Sequence, residues 1–408
     1  MRNNLSIAVL TPTLLIKGGT QNQLLHLALE LQKAQKPFKI VTFVYDPHTT
    51  YPEFQSLPIV AVVDLRKPRF WARMLDGAVK LSRVNRETAF LWLAFLFQKR
   101  YVRLLEHTMT AVLNPHDWFS SWIAVQAKKQ FNPEAKIVMM LNDMPPSYGN
   151  QTSAKNAFIN RKDHQYHPHI DRIMVLDKVM QKKAEAYYHS IPVDVVRSGI
   201  NLELYQDFSF DQKKVRQKLH VPPDDIVMVC ASVPTAHRRF QDAIMALHRI
   251  SNDHLHLLII GDLTYDRPYG ESLKNLVTQL QEQKRVHFIN RFLPFAERSA
   301  YIASSDIFIF PNEHQTWGLG VIEAQALRVP CVVSNGAGVH EVLTDHENAL
   351  IYTCGDVGQL EKCLRTLIDN HKLRHRLSDT AQKFVSQNFS WQKYALAVED
   401  VFDKTLAN

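Results

Sequence analysis

Pro311-Asn-Glu-His-Gln-Thr-Trp-Gly-Leu-Gly-Val-Ile-Glu-Ala-Gln-Ala-Leu-Arg-Val-Pro-Cys-Val-Val-Ser334 reads as a strand, a glycine-bearing loop, a helix and, after Pro330, a second strand. Gly318 and Gly320 let backbone amides come close to a ligand. The helix start behind them offers free N–H groups and a positive dipole end to an anion. Glu323 falls about one turn into that helix, where its carboxylate can accept from hydroxyl groups. Taken alone, the glycines fit a tight strand-to-helix loop with a surface Glu equally well.

The same alternation extends in both directions. Ile7–Leu10, Ile40–Val44, Ile59–Val63, Ala111–Leu113, Ile137–Leu141 and Ile173–Leu176 are short apolar runs without polar alternation. Ile226–Ala231, Leu257–Ile260, Val286–Ile289, Ile307–Phe310 and Cys331–Val333 repeat the plan. Such runs suit parallel strands buried on both faces. Helical periodicity lies between them, as in Leu24, Leu27, Ala28 and Leu31. The expected fold class is α/β, with two Rossmann-like doubly wound domains facing across a cleft. Ligands of such sheets bind at the C-terminal ends of the strands. The pattern lapses into turn-like segments around 190–225, and the linker is placed near Ser190-Ile-Pro192. Residues 1–190 then form one domain and 191–389 the other.

Composition narrows the function. The 408 residues are 46% hydrophobic and 22% charged, which excludes a disordered chain, a collagen or a coiled-coil rod. Four cysteines without a close pair exclude a disulfide framework or a zinc cluster. Cys230 and Cys331 lie in apolar runs and read as reduced core thiols, which fits a cytosolic protein. The start Met1–Leu10 lacks the pattern of a cleavable signal. No run reaches the ~18 apolar residues of a membrane span. Hydrolase signatures are thin, since no Gly-x-Ser-x-Gly elbow occurs.

The net charge is +8, and its distribution is informative. Arg66–Arg103 holds ten basic residues against Asp76 and Glu87, a balance equal to that of the whole chain. Nine apolar residues, Ala89–Phe97, sit within it. This composition fits a helix lying on an anionic membrane surface. It fits equally an internal helix with a solvated basic face. No nucleic-acid-binding motif accompanies it.

The 311–334 stretch resembles the donor-site signature of the family 4 retaining glycosyltransferases of the GT-B fold. That family carries two Glu residues separated by seven others, around Phe/Trp-Gly-Leu. The second matches Glu323, and the first falls on Gln315, a departure from the common pattern. Further matches follow in order. Gly18-Gly19 fits the first-loop glycines near the donor diphosphate. Asn114-Pro-His-Asp-Trp118 resembles the His-bearing segment after the fourth strand, and Asn142-Asp143 the polar end of the next. Arg197-Ser-Gly-Ile-Asn201 resembles the step that opens the second domain. Ala236-His-Arg-Arg-Phe-Gln-Asp242 resembles the basic donor-phosphate segment, and Gly336-Ala-Gly-Val-His-Glu341 a Gly-Gly-x-x-Glu motif. Ser390 through Asn408 resembles the terminal helix that crosses back to complete the first domain.

The resemblance implies a hexosyltransferase that moves a sugar from a nucleotide-sugar donor, with retention of anomeric configuration. The implied acceptor is a cell-envelope glycan or a lipid-linked glycan, and the implied location is the cytoplasm or the inner face of the plasma membrane. No cofactor or metal is expected; no Asp-x-Asp pair of the kind that holds the divalent ion of GT-A enzymes occurs. His116, Gln315 and Glu323 are the expected catalytic residues. Gly18, Gly19, Arg238, Arg239, Trp317, Gly318, Leu319 and Gly320 are expected at the donor, and Asp117, Asn142 and Asn201 on the acceptor side or nearby. Negative charge grows on the departing diphosphate, so cations and N–H dipoles belong there. Arg238 or Arg239 could supply the planar fork; the pair also fits a solvated helix start. His116 would touch the transferred sugar or draw a proton from the acceptor hydroxyl, or simply be a satisfied loop histidine. Asp117 could equally cap a helix, and Asn201 could be a turn residue. Glu313 rivals Gln315 for the position facing the sugar. A nucleotide-sugar epimerase or a non-catalytic nucleotide-binding protein of the same fold are the competing readings.

Overall fold

The computed structural model describes residues 6–15, 18–64, 97–106, 110–144, 154–206, 208–314 and 317–407. Its contacts divide the chain into two units, Met1–Ser198 with Trp391–Asn408, and Gly199–Ser390. Gln315 and most of Arg66–Arg103 lie outside the described residues. No helix among the described residues is long and apolar enough to cross a membrane.

The first unit holds a parallel sheet of β1 (Ile7–Leu14), β2 (Phe38–Tyr45), β3 (Ile59–Asp64), β4 (Val112–Pro115), β5 (Lys136–Met140), β6 (Arg172–Val175) and β7 (Val193–Val195). Its order is β3-β2-β1-β4-β5-β6-β7. The central strands are buried on both faces, which is why they read as unbroken apolar runs. Helix Gly19–Lys33 lays Leu24, Leu25, Leu27, Ala28 and Leu31 into the interior. Each buried leucine contributes roughly 1.5–3 kcal/mol. Helix Trp391–Leu406 packs beside it and buries Trp391, Tyr394, Val398, Val401 and Phe402. There the His26 ring stacks on Trp391 with centroids 4.3 Å apart. Burial pulls the His26 pKa down to about 4.

The second unit holds β8 (Ile226–Ala231), β9 (Leu255–Ile260), β10 (Val286–Ile289), β11 (Ile307–Phe310), β12 (Cys331–Ser334) and β13 (Leu350–Tyr352). All pairs are parallel, in the order β10-β9-β8-β11-β12-β13. Each sheet therefore reverses its direction of growth beside its first strand, between β1 and β4 and between β8 and β11. Loops leaving the C-terminal ends of those neighbours diverge and leave a crevice.

Three expectations from sequence shift. The first unit continues to Ser198 rather than ending at 190, because Val193–Val195 pairs in parallel with β6. Ser198 is fixed there by the Gln23 side-chain amide, which donates to its hydroxyl. β1 runs past Thr11-Pro12 to Leu14, since its ladder to β4 stops at Leu10 and the missing Pro12 N–H interrupts nothing on that side. β13, a three-residue edge strand, adds a strand that the apolar runs do not predict.

Candidate functional site

In the second unit, the turn after β8 carries the basic segment. Ala236–Arg238 forms a single 3-10 turn, and Arg239 caps helix Phe240–Ile250 from the left-handed region, with φ 51° and ψ 37°. The two arginines, equivalent by sequence, differ here. Arg239 donates from Nε to Asp242 at 2.8 Å and from Nη1 to Glu313 at 3.2 Å. Arg238 makes no side-chain hydrogen bond or ion pair with any described residue, and its Nε is buried. Burial pulls its pKa below the usual guanidinium value. A partly desolvated cation without a counter-ion is costly unless an anion arrives.

The neighbouring loop, after β11, carries the glycines. Gly318 caps helix Leu319–Ala326 with φ +116°. A Cβ there would stand 2.9 Å from Val339 Cγ1 and 3.1 Å from Phe310. Glycine is thus imposed by both backbone and packing. Gly320 differs: its nearest neighbour would be 3.5 Å away, so nothing within the domain demands a glycine there. Leu319 is half-buried at the helix start. Trp317 is buried with its ring against Phe389, so it shapes the loop from inside, and its carbonyl accepts from the Val339 amide. That bond brings the Gly336–Glu341 segment to this loop.

Glu323 faces away from solvent, 15% exposed, and accepts from Arg298 Nη2 at 3.0 Å. The Tyr205 hydroxyl bonds to the same carboxylate, and burial followed by the charge of Glu323 pushes that phenol's pKa well up. Neither partner was legible in sequence, because each comes from a distant element. Glu313 is tied to Arg239 and sits 3.3 Å from His314, and its amide donates to the His237 carbonyl at 2.8 Å. Asn312, fully buried just past β11, has both side-chain polar atoms unpartnered. Sequence reading passed over it; a polar residue closing an apolar strand was the available signal. Asn201 precedes the short helix Leu202–Gln206 and its carbonyl accepts from the Leu204 amide, the turn role.

In the first unit, His116 follows β4 and is 2% exposed. Asn114 Nδ2 donates to the Val138 carbonyl, which leaves Asn114 Oδ1 as an acceptor facing His116 Nε2 at 2.9 Å. His116 therefore carries its proton on Nε2, and Nδ1 is a bare lone pair without a partner. Burial lowers its pKa to about 4. That favours accepting a hydrogen bond over removing a proton. Asn142, past β5, donates to the His116 carbonyl at 3.4 Å, so these two sequence-distant candidates meet. Asp117 resolves as a cap. Its carboxylate accepts from the amides of Phe119 and Ser120 and from the Ser120 hydroxyl. Burial nevertheless pushes its pKa up to about 6. Gly18 caps helix Gly19–Lys33 in an extended conformation, and a Cβ on Gly19 would meet open space.

Two Rossmann-like domains, each with its candidates on loops beyond the C-terminal ends of parallel strands, define the GT-B fold. Residues 211–384 match the family model for Glycosyl transferases group 1. The chain is similar to the lipopolysaccharide core biosynthesis glycosyltransferase LpsD of Rhizobium meliloti, 28% identical over 47% of this chain and 53% of that one. It is also similar to the alpha-monoglucosyldiacylglycerol synthase of Acholeplasma laidlawii, 24% identical over 75% of this chain and 78% of that one. The chain spans about half the length of the first of the curated relatives it matches. Among solved structures, Anabaena HepE in complex with UDP superimposes with a TM-score of 0.75, at 15% identity, over 98% of this chain and 100% of that one.

Proposed function

We propose that this protein is a metal-independent hexosyltransferase of the family 4 type. It transfers a sugar from a nucleotide-sugar donor to a cell-envelope glycan or lipid-linked acceptor, with retention. The observation that carries this reading is Arg238, a half-buried guanidinium without a counter-ion among the described residues, on the loop neighbouring the glycine-capped helix start. A diphosphate satisfies both features. HepE, of the same fold, was solved with UDP and with UDP-glucose.

In this reading Arg238 and the amides at Gly318–Gly320 meet the leaving diphosphate, whose charge grows in the transition state. Glu323, oriented by Arg298 and Tyr205, accepts from the ribose hydroxyls of the nucleotide. Gln315 positions the transferred sugar through an amide that cannot itself balance positive charge. On the first domain, His116 Nδ1 accepts from a sugar hydroxyl while Asn142 steadies its backbone. Gly18 and Gly19 leave room for close approach of a ligand. The relatives named for lipopolysaccharide and glycolipid synthesis support the acceptor class.

Thermal unfolding with UDP-, GDP- and ADP-sugars tests the reading. A true donor at 100 times its Kd stabilises the native state by about 2.7 kcal/mol. Arg238→Ala should remove that shift and lower turnover about 30- to 1000-fold, for a loss of roughly 2–4 kcal/mol. No shift with any nucleotide sugar in the folded wild type refutes the assignment.

A further inference from the structure

Arg239 occupies its place at a double disadvantage. A non-glycine residue in the left-handed region is strained, and a cation at a helix N-terminus opposes the dipole. Its side chain nonetheless contacts three segments. Asp242, one turn into the helix, receives bonds from Nε at 2.8 Å and Nη2 at 3.3 Å. Glu313, on the loop after β11, receives one from Nη1 at 3.2 Å. Gly355, with φ +83°, lies beneath, where a Cβ would stand 3.1 Å from Nη2. The fork is thus committed to two carboxylates, and it has no uncompensated charge to offer a ligand.

Resting on the donor-site reading above, we propose that Arg239 is an internal counter-ion and not a phosphate ligand: it masks Glu313, so that the incoming diphosphate meets Arg238 and not a free carboxylate. Glu313 is close enough to matter, because its amide bonds the carbonyl of His237, the residue preceding Arg238. The two carboxylates would respond differently to losing the arginine. Asp242 is 3% exposed and turned into its own helix, and burial already raises its pKa against the pull of Arg239. Glu313 is 39% exposed and keeps, among the described residues, only the His314 ring at 3.3 Å, so its carboxylate stands beside the phosphate turn without the arginine. Arg239 is therefore a positioning residue, acting on the donor only through Glu313.

The test measures UDP, GDP and ADP affinity by calorimetry on the full chain, choosing whichever binds. Arg239→Gly is the suitable probe, since glycine keeps the left-handed cap without strain. It should weaken binding about tenfold, the scale of one uncompensated charge several ångströms away at high effective dielectric. Glu313→Gln alone should stay within about twofold of wild type, and R239G/E313Q should return to that level. The R239G deficit should also shrink as salt rises from about 0.05 to about 1 M, because a half-exposed charge is screened. A loop that had merely lost its tether would show neither the rescue nor the salt effect. In contrast, R238A/E313Q should remain as weak as R238A. If R239G/E313Q binds as poorly as R239G, or R239G binds as wild type, the counter-ion role is refuted. If the folded wild type binds none of the three nucleotides, the donor-site reading itself fails and this inference with it.

Discussion

Gly318 and Gly320 sit two residues apart, yet adding one methyl to each should have opposite effects on stability. For Gly318→Ala, positive φ costs about 1–2 kcal/mol. The contacts at 2.9 Å to Val339 and 3.1 Å to Phe310 add about 1–3 kcal/mol of overpacking. The sum, about 2–5 kcal/mol, should lower the Tm of a domain of this size by about 4–20 °C. For Gly320→Ala, the nearest atom at 3.5 Å is in ordinary contact. Replacing a helical glycine there should gain up to about 1 kcal/mol, or a few degrees. Ligand binding should not follow stability. The Gly320 methyl would lie near the Ala231 carbonyl and the Phe308 and Phe310 rings, at the ends of β8 and β11; on the proposed donor reading it crowds the helix amides there, so the more stable variant should bind UDP, GDP or ADP roughly tenfold more weakly. Differential scanning calorimetry and nucleotide titration on the two variants decide the matter. Wild-type affinity in Gly320→Ala would take the anion away from this helix start. An unchanged Tm in Gly318→Ala would refute the packing argument.

Three further outcomes are expected. His116 and Asp117 are shifted in opposite directions, to about 4 from 6.5 and to about 6 from 3.8. The His116 contribution to stability is present above pH 6.5 and lost as pH falls through 4, whereas that of Asp117 is present below 3.8 and lost as pH rises through 6. Each amounts to about 3 kcal/mol, so they largely offset. Asp117→Asn should make stability climb more steeply from pH 4 to 6.5 in urea titrations; curves parallel to wild type would contradict it. Gln315→Glu should keep substantial transfer and Gln315→Ala should lose turnover; a silent Gln315→Ala variant would remove that residue from the sugar. The +8 balance of Arg66–Arg103 predicts binding to phosphatidylglycerol vesicles that weakens with salt. Equal binding to neutral vesicles, or none to either, would end that idea.

The central strands were legible because two-sided burial writes itself as uninterrupted aliphatic sequence. Val193–Val195 and Leu350–Tyr352 were not, because each is a three-residue edge strand with a single neighbour. Val193-Asp-Val195 is only half-buried throughout, which removes the apolar signal altogether. The site followed the same division. Gly318 could be found because a left-handed cap restricts the residue that can occupy it. The inequality of Arg238 and Arg239 could not, since it depends on Glu313, 74 positions away from Arg239. Asp117 and His116, adjacent in sequence, part company only through their partners. One faces its own helix amides, and the other a side chain fixed by the next strand.

The return of Trp391–Leu406 to the first unit bears on how this chain emerges from the ribosome. Helix Gly19–Lys33 receives the partner that stacks on His26 only after the whole of Gly199–Ser390 has been translated. At about 5–20 residues per second, those roughly 190 residues take about 10–40 s. During that interval the second unit can close its own core and the first can close the one built from residues 8–191, but the side of helix Gly19–Lys33 that meets Trp391 stays uncovered. The nascent chain thus carries an uncovered helix side on its oldest part, open to chaperones or to a neighbour on the same polysome. A stop codon placed just before Trp391 should yield a protein whose second unit is intact and whose first unit unfolds at a lower temperature.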